Sequence, residues 1–282
     1  MKQRVITGLI GGPLALIAIC LRNTIFFNII VMIATVIAVY EVLKSTKYVR
    51  SNAIFITCLV YALASAYFVL LGFHLSLLCT LLYVFALFAI ILKQYKTVQL
   101  KEISFGFMMT LMVSLSFVLL TIFARGTVIY PETYAGADGV FLLILAIGGA
   151  WFCDIGAYFA GTFFGKNKMA PGISPKKTWE GAIGGVASNI VLCLFVGLIW
   201  KIFFLSTAEH IQWLLLALYA LISAVGSMFG DLVFSVIKRK CNIKDYGNII
   251  PGHGGVLDRF DSVILTAPIL YMFIQVFPLI IR

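Results

Sequence analysis

Long apolar blocks separated by short polar segments are the dominant pattern along this chain of 282 residues. The blocks are about 20 residues long, enough at about 1.5 Å per residue to cross a hydrocarbon core of about 30 Å. The alternation typical of transmembrane strands is absent, and a backbone in lipid must satisfy its own hydrogen bonds, so the blocks are predicted to be helices. We place nine spans at about 5–21, 25–43, 53–71, 75–92, 103–123, 139–163, 180–200, 211–232 and 262–281.

Composition supports the same fold class. The chain is 62% hydrophobic and only 11% charged, whereas a soluble domain carries roughly 25% charged residues. A single apolar stretch could be a signal peptide, but this many separate stretches cannot. We therefore predict an all-α polytopic integral membrane protein.

The basic residues indicate an orientation. With nine spans, every Lys and Arg except Arg22, Arg125, Lys201 and Arg282 falls on the side of the N-terminus. Cytoplasmic loops carry such an excess, so the N-terminus is predicted to be cytoplasmic, in a cell inner membrane. The net charge of +10 is then explained by topology and anionic lipid head groups rather than by nucleic acid.

The two halves of the sequence differ in acidic residues. In the first half, Glu41, Glu102, Glu132 and Asp138 lie near span ends or in loops, and we interpret them as solvated or interfacial. Residues 1–138 are accordingly predicted to be a scaffold of five helices. Residues 139–282 are predicted to be a catalytic region of four helices with cytoplasmic loops 164–180 and 233–261. The six cysteines are scattered without a C-x-x-C pair, which indicates neither a zinc site nor a disulfide framework.

Asp154 lies well inside predicted span six, in GAWFCDIGAYFAG. An ionised carboxylate at such a position costs about 2.5–3.5 kcal/mol on insertion scales. It therefore requires a cation, a metal or a water-filled cavity, unless it is protonated and bonded to a neighbouring helix.

The loop FFGKNKMAPGISPKKTWEGAIGG carries four lysines, two hydroxyl residues and Glu180. Its Gly and Pro residues keep it out of regular helix. Thr178 stands where span seven begins, and free N–H groups at a helix start attract phosphate, as do lysines. The loop is thus either a phosphate site or a segment whose charges only hold topology.

The segment GDLVFSVIKRKCNIKDYGNIIPGHGGVLDRFDS combines carboxylates, cations and a glycine-rich run in what we expect to be a loop. Carboxylates suit Mg²⁺, cations neutralise phosphate, and glycines let backbone amides approach a polyphosphate. This combination is typical of phosphoryl or nucleotidyl transfer. A P-loop motif is absent, and His253 has no second metal ligand at the expected spacing, so it is either structural or a general base.

Residues Ser235 to Asp261 form a signature segment that fits S-x-x-K-R-x4-K-D-x-G-x2-I-P-x-H-G-G-x-x-D-R-x-D at every specified position. This string, with AYFAGTFFGK and ISPKKTWEG before it, resembles the phosphatidate cytidylyltransferases, also called CDP-diacylglycerol synthases. The resemblance covers about residues 148–265 and is weak over the first 140. The sequence departs from the common family pattern at Phe234, where Glu often stands, and at Ile155, where a small hydroxyl residue is usual.

The resemblance implies that CTP and phosphatidic acid are converted to CDP-diacylglycerol and pyrophosphate. It implies Mg²⁺ on Asp231 and Asp258, leaves a second cation and a homodimer open, and assigns catalytic roles to Asp231, Asp258, Asp261, Lys244 and Asp154. The residues expected to bind substrate are Ser174, Lys176, Lys177, Thr178, Ser235, Lys238, Arg239, His253, Gly254, Gly255 and Arg259.

Two other functions fit parts of the pattern. A CTP-dependent lipid-alcohol kinase also transfers phosphoryl groups at a membrane face, but it releases CDP instead of pyrophosphate. A cation-coupled transporter could bind its ion at Asp154 and Asp231, although the polar residues cluster on one face rather than along a path.

Overall fold

The structure is a computed structural model that describes residues 17, 19–68, 71–126, 138–250, 252 and 254–281. These residues are mostly helical. The helices are α1 (Ile25–Thr46), α2 (Asn52–Phe68), α3 (Phe73–Lys93), α4 (Leu100–Arg125), α5 (Asp138–Phe164), α6 (Trp179–Phe203), α7 (Trp213–Lys240), α8 (Leu257–Phe260) and α9 (Val263–Val276). The strands are β1 (Lys168–Ala170), β2 (Ser174–Thr178), β3 (His210–Ile211) and β4 (Ile280–Ile281).

Within the described residues, six helices are long and apolar enough to cross a membrane: α1, α3, α4, α5, α6 and α7. Helices α2 and α9 are also apolar, but they have only 17 and 14 residues. Helix α3 exposes large side chains such as Leu82, Phe85 and Phe88. An exposed apolar surface of this kind suits contact with lipid, and the chain is an all-α polytopic membrane protein.

Helices α1 to α7 and α9 overlap predicted spans two to nine, and the short helix α8 falls in predicted loop 233–261. Span 5–21 lies almost entirely outside the described residues. Two predicted boundaries are wrong. Helix α7 continues to Lys240 instead of ending near residue 232, because residues 232–240 contain no Gly or Pro and the terminal Lys and Arg residues suit a helix C-terminus. Helix α9 ends at Val276, because Pro278 forces Phe277 into an extended conformation.

Two small antiparallel ladders add to the predicted helices. In the loop after α5, β1 pairs with β2, with Lys168 opposite Thr178 and Ala170 opposite Ser174. Near the end of the chain, β3 pairs with β4. The first ladder gives the lysine-rich segment a defined hairpin where the sequence predicts only irregular structure.

The chain forms two compact units. The first contains residues 1–121 and 237–260, and the second contains residues 122–236 and 261–282. Each is thus assembled from segments distant in the sequence. The predicted division of roles between residues 1–138 and 139–282 stays a prediction.

In the first unit, a buried carboxylate closes the start of α2. Glu102 Oε2 accepts hydrogen bonds from the backbone N–H groups of Arg50 at 2.8 Å and Ser51 at 3.0 Å. These groups precede the helix and have no partner in it, so the carboxylate satisfies them. Farther along α2, the Tyr61 ring stacks on the Tyr83 ring of α3 with centroids 4.2 Å apart.

In the second unit, α5 and α6 approach closely along small residues. A Cβ atom on Gly156 would overlap Ser188, and one on Gly184 would overlap Ala160. Small residues at such positions let membrane helices pack backbone against backbone. The Ser188 hydroxyl also donates to the Phe152 carbonyl at 3.0 Å, which fixes the part of α5 that carries Asp154.

Polar side chains join the other helices of the second unit. Asn189 donates to the Ala220 carbonyl at 2.7 Å, and the Tyr219 hydroxyl donates to the Leu145 carbonyl at 3.0 Å. Thr266 donates to the Ala146 carbonyl at 2.8 Å. These bonds hold α6, α7 and α9 on the same framework, from which the functional side chains project.

Candidate active site

The second unit encloses a cavity of about 530 Å³ that combines charged and apolar walls. Its charged residues are Asp154 on α5, Lys168, Lys176 and Lys177 on the hairpin, and Asp231 on α7. Its apolar surface comes from residues that include Ala157, Tyr158, Met169, Ala182 and Met228. This size is typical of small-molecule sites, and the walls offer both cations for phosphate and surface for hydrocarbon.

The hairpin is held in place at its base. The Thr178 hydroxyl accepts a hydrogen bond of 3.1 Å from the Gly181 N–H and caps α6. Glu180 accepts bonds from the backbone N–H groups of Lys166 and Asn167. Thr178 and Glu180 therefore anchor the hairpin, which presents Lys168, Lys176 and Lys177 to the cavity. Thr178 lines the cavity as well. Ser174 is half-buried at the start of β2 and does not line the cavity.

Lys177 and Asp231 form an ion pair in this cavity, with Nζ 2.5 Å from Oδ2. The Ser235 hydroxyl, one helical turn along α7, donates to the other oxygen of Asp231 at 3.3 Å. Asp231 is thus paired through both oxygens. Asp231 lies on helix α7, as the predicted span 211–232 implies, whereas Ser235 lies on the same helix rather than in the predicted loop 233–261, because the helix is longer than predicted.

Asp154 and Asp261 belong to the same cluster. Asp154 is exposed to the cavity and lies within electrostatic range of Asp231, Asp261 and Lys177. The Ser262 hydroxyl lies 3.4 Å from Asp154 Oδ2, and the Ser262 N–H donates to Asp261 at 2.9 Å. The structure thus places Asp154 at a cavity and within range of a lysine, two of the surroundings that the sequence suggests for it, together with two further carboxylates.

Asp258 lies in the first unit, and its carboxylate is fully engaged. Oδ1 pairs with Lys238 Nζ at 3.1 Å. Oδ2 accepts bonds from the backbone N–H groups of Tyr246 at 2.8 Å and Gly255 at 3.1 Å. Only 3% of this side chain is exposed. Asp258 and Lys238 therefore hold the signature segment together, whatever further role they have.

Glu41 on α1 is the residue that sequence reasoning missed. It is buried, and it accepts hydrogen bonds from the backbone N–H groups of Val256 at 3.2 Å and Leu257 at 2.9 Å. A Cβ atom on Gly247 or Gly255 would overlap its carboxylate. Two glycines of the signature are thus explained by the space that Glu41 occupies.

The interpretation of the early acidic residues as solvated or interfacial is wrong for Glu41, Glu102 and Asp138. All three are buried, and Asp138 accepts a bond of 3.3 Å from the Trp200 indole. Glu132 lies outside the described residues. A signal was present for Glu41, which stands within an apolar run as Asp154 does, but its position near a span end suggested contact with water.

The remaining predicted site residues lie in the first unit. Lys244, Arg239 and Arg259 are exposed. Gly254 has φ +83°, a conformation that glycine adopts without strain. His253 lies outside the described residues, so its role stays a prediction.

The carboxylates of the second unit fit Mg²⁺ by their chemistry. Mg²⁺ prefers oxygen ligands and is usually bound through one or two carboxylates together with substrate phosphates. In the described part of the chain, no three His, Cys, Asp or Glu side chains converge closely enough to hold a metal by themselves. Binding of Mg²⁺ by Asp231 and Asp258, with support from Asp154 and Asp261, therefore stays a prediction.

Comparisons with known proteins agree with these features. A family model described as the cytidylyltransferase family matches residues 2–277. A phosphatidate cytidylyltransferase of Bacillus subtilis (strain 168) is 33% identical over 287 residues, which cover 98% of this chain and 98% of the relative. The match therefore extends through the first 140 residues, where sequence motifs carry little resemblance.

Two further relatives match over about half of this chain. A phosphatidate cytidylyltransferase of Rickettsia bellii (strain RML369-C) is 47% identical over 121 residues, covering 43% of this chain and 52% of the relative. One from Synechocystis sp. is 39% identical over 153 residues, covering 51% of this chain and 48% of the relative.

Proposed function

Because this chain belongs to the cytidylyltransferase family, we propose that it is the membrane enzyme that converts CTP and phosphatidic acid to CDP-diacylglycerol and pyrophosphate. The observation that carries the proposal is the mixed character of the cavity in the second unit. Three lysines and two carboxylates face the same space as Tyr158, Met169 and Met228. The charged side chains suit the phosphate groups of phosphatidic acid and CTP, and the apolar side chains suit the hydrocarbon part of the lipid.

In this reaction, an oxygen of the lipid phosphate attacks the α-phosphorus of CTP. The new P–O bond forms as the bond from the α-phosphorus to the bridging oxygen of the β-phosphate breaks, and pyrophosphate leaves. No protein nucleophile is required, because the attacking oxygen is already anionic. Catalysis then depends on holding two mutually repelling polyanions together, which is a matter of positioning and charge neutralisation.

The lysines of the hairpin suit this task. Lys168, Lys176 and Lys177 project from two paired strands whose base is anchored by Thr178 and Glu180. Their charges are therefore held at the cavity instead of being spread over a loose loop. We assign them to the phosphates of CTP and phosphatidic acid, with Lys238, Arg239, Lys244 and Arg259 of the signature as further phosphate ligands.

Mg²⁺ is the proposed cofactor, held by Asp231 and Asp258 with support from Asp154 and Asp261. When bound, it supplies positive charge that lowers the repulsion between lipid phosphate and CTP. Lys177 already pairs with Asp231, and Lys238 already pairs with Asp258. Each lysine therefore competes with a divalent cation for its carboxylate and can exchange that carboxylate for a phosphate oxygen.

We further propose nine membrane spans, with the N-terminus and the active site at the cytoplasmic side of the inner membrane, where CTP is available. The asymmetry of basic residues supports this orientation. Single cysteines introduced at Lys168 and Lys240 should both be labelled from the cytoplasm. Labelling from opposite sides would show that the number of spans is wrong.

Product analysis tests the reaction directly. Purified protein is incubated with CTP, Mg²⁺ and phosphatidic acid, and lipid products and pyrophosphate are measured together. Equal amounts of CDP-diacylglycerol and pyrophosphate are expected. Release of CDP without pyrophosphate would indicate a kinase, and ion uptake by proteoliposomes lacking CTP would indicate a transporter.

A further inference from the structure

A second, smaller pocket in the first unit gathers basic residues that the proposed reaction does not use. It has a volume of about 180 Å³ and is lined by Lys47, Arg50, Lys101 and Lys240, together with Thr46, Tyr48 and Cys241. We propose that this basic pocket binds the phosphate head group of an anionic phospholipid.

The basic pocket lies where membrane helices end. Lys47 follows α1, Lys101 stands in the first turn of α4, and Lys240 is the last residue of α7. All three helices are long and apolar enough to span a membrane. Their ends mark the level of lipid head groups, where basic residues attract anionic lipids.

The segment from Lys47 to Ser51 has a fixed conformation. Lys47 ends α1 with φ 55°, which is uncommon for a residue other than glycine. The Tyr48 ring stacks on Phe105 with centroids 4.8 Å apart. Glu102 accepts the N–H groups of Arg50 and Ser51. These contacts fix the backbone from Lys47 to Ser51, so Lys47 and Arg50 are held beside the pocket by an ordered turn.

The convergence of four cations calls for an anion. Basic residues determine membrane orientation simply by lying on one side of the membrane. Orientation alone therefore does not explain why three segments distant in the sequence place their basic residues around one pocket. Like charges gathered in this way repel each other. No carboxylate lines the basic pocket, and the neighbouring Glu102 is engaged by two backbone N–H groups. An anionic ligand would remove the repulsion.

The size of the pocket favours a head-group phosphate. Sites for drug-sized ligands occupy about 300–1,000 Å³, so 180 Å³ suits a phosphate group better than a nucleotide. A lipid also keeps its acyl chains beside the apolar helices that surround the pocket. A free phosphate ion gains nothing from that position.

Native mass spectrometry can test the proposal. Protein is released from nanodiscs of phosphatidylcholine that contain a small share of phosphatidylglycerol, and the retained phosphatidylglycerol is counted. The double variant Lys101→Gln/Lys240→Gln should retain about thirtyfold less than the wild type, because two of the four cations are lost. Lys101→Arg/Lys240→Arg should restore retention, which shows that charge, not folding, is responsible.

Lys93→Gln/Lys96→Gln is the matched control. It removes two exposed lysines at the end of α3, outside the basic pocket, and should retain phosphatidylglycerol as the wild type does. Equal losses in both double variants, or no loss in either, would overturn the proposal. So would binding of inorganic phosphate to the detergent-solubilised wild type, abolished in Lys101→Gln/Lys240→Gln, with no difference in lipid retention.

Discussion

Glu41 accepts a hydrogen bond of 2.9 Å from the backbone N–H of Leu257, 216 residues further along the chain. The neighbouring N–H of Val256 bonds to the same carboxylate. A side chain from α1 therefore shapes the segment that carries the most distinctive motif of the sequence. The first helices of the chain therefore do more than contact lipid, because α1 provides a carboxylate that stabilises the conformation of this motif.

Glu41→Ala should destabilise the protein and strongly reduce turnover. The substitution leaves two backbone N–H groups without their acceptor, at a cost of about 1–3 kcal/mol for each buried group. Glu41→Gln keeps one oxygen acceptor and should have an intermediate effect. Thermal unfolding in detergent and CDP-diacylglycerol formation measure the two consequences.

Glu209→Ala is the control for Glu41, because the Glu209 carboxylate accepts hydrogen bonds from the backbone N–H and the hydroxyl of Ser206, only three residues away in the sequence. Its unfolding temperature and turnover should stay close to those of the wild type. If Glu41→Ala behaved like Glu209→Ala, the support that Glu41 gives to the signature segment would be of no consequence.

Gly255→Ala should reduce activity for a steric reason. The added methyl group would overlap the Glu41 carboxylate, so either this carboxylate or the turn before α8 must shift, and the hydrogen bonds between them are disturbed. Gly172→Ala is the matched control, because a Cβ atom there meets nothing within 4 Å. The initial rate of CDP-diacylglycerol formation should fall at least about tenfold for Gly255→Ala and little for Gly172→Ala. Similar rates for both would contradict the assigned role of the glycine.

Lys177→Ala should impair substrate use much more than stability. The lysine is partly exposed, and such ion pairs contribute only about 0–1 kcal/mol to folding, whereas its loss removes a cation from the cavity that we assign to the phosphates. The ratio of kcat/KM to that of the wild type should fall by about 10² or more. Lys96→Ala removes an equally positive side chain outside the cavity and should change little. Equal losses would mean that these lysines act only through general surface charge.

Asp231→Asn and Asp258→Asn should each abolish turnover at ordinary Mg²⁺ concentrations while leaving membrane insertion intact. Each substitution keeps the shape of the side chain and removes the charge that a divalent cation requires. Asp245→Asn should be milder, because Asp245 is exposed. Rates across a Mg²⁺ titration provide the measurement. Near-normal turnover of either of the first two variants at low Mg²⁺ would exclude that carboxylate as a metal ligand.

These two variants should differ in stability, which separates their roles. Asp258 accepts two backbone N–H groups and Lys238, and its side chain is almost fully buried. Asp231 is partly exposed and bonds to side chains only. Asp258→Asn should therefore lower the unfolding temperature more than Asp231→Asn. The reverse order would contradict the structural part assigned to Asp258.

Residue patterns predict the helices of this protein well, because each membrane span must be apolar along about 20 residues. They also single out Asp154, whose charge inside an apolar run requires the cavity that the structure has. The local sequence does not predict the β1–β2 hairpin, whose strands have only three and five residues. It also could not identify the partner of Glu41, since that contact depends on tertiary structure.

The division of the chain into two compact units has a consequence for biosynthesis. The first unit needs residues 237–260 as well as residues 1–121, so it cannot be completed when its early helices enter the bilayer. Until the ribosome has delivered Val256 and Leu257, Glu41 lacks the donors that neutralise the cost of its burial. A nascent chain arrested before residue 237 should therefore expose the unsatisfied Glu41 carboxylate to the quality-control proteases of the membrane. A chain arrested beyond the end of α8 contains Val256 and Leu257, whose N–H groups can bind that carboxylate.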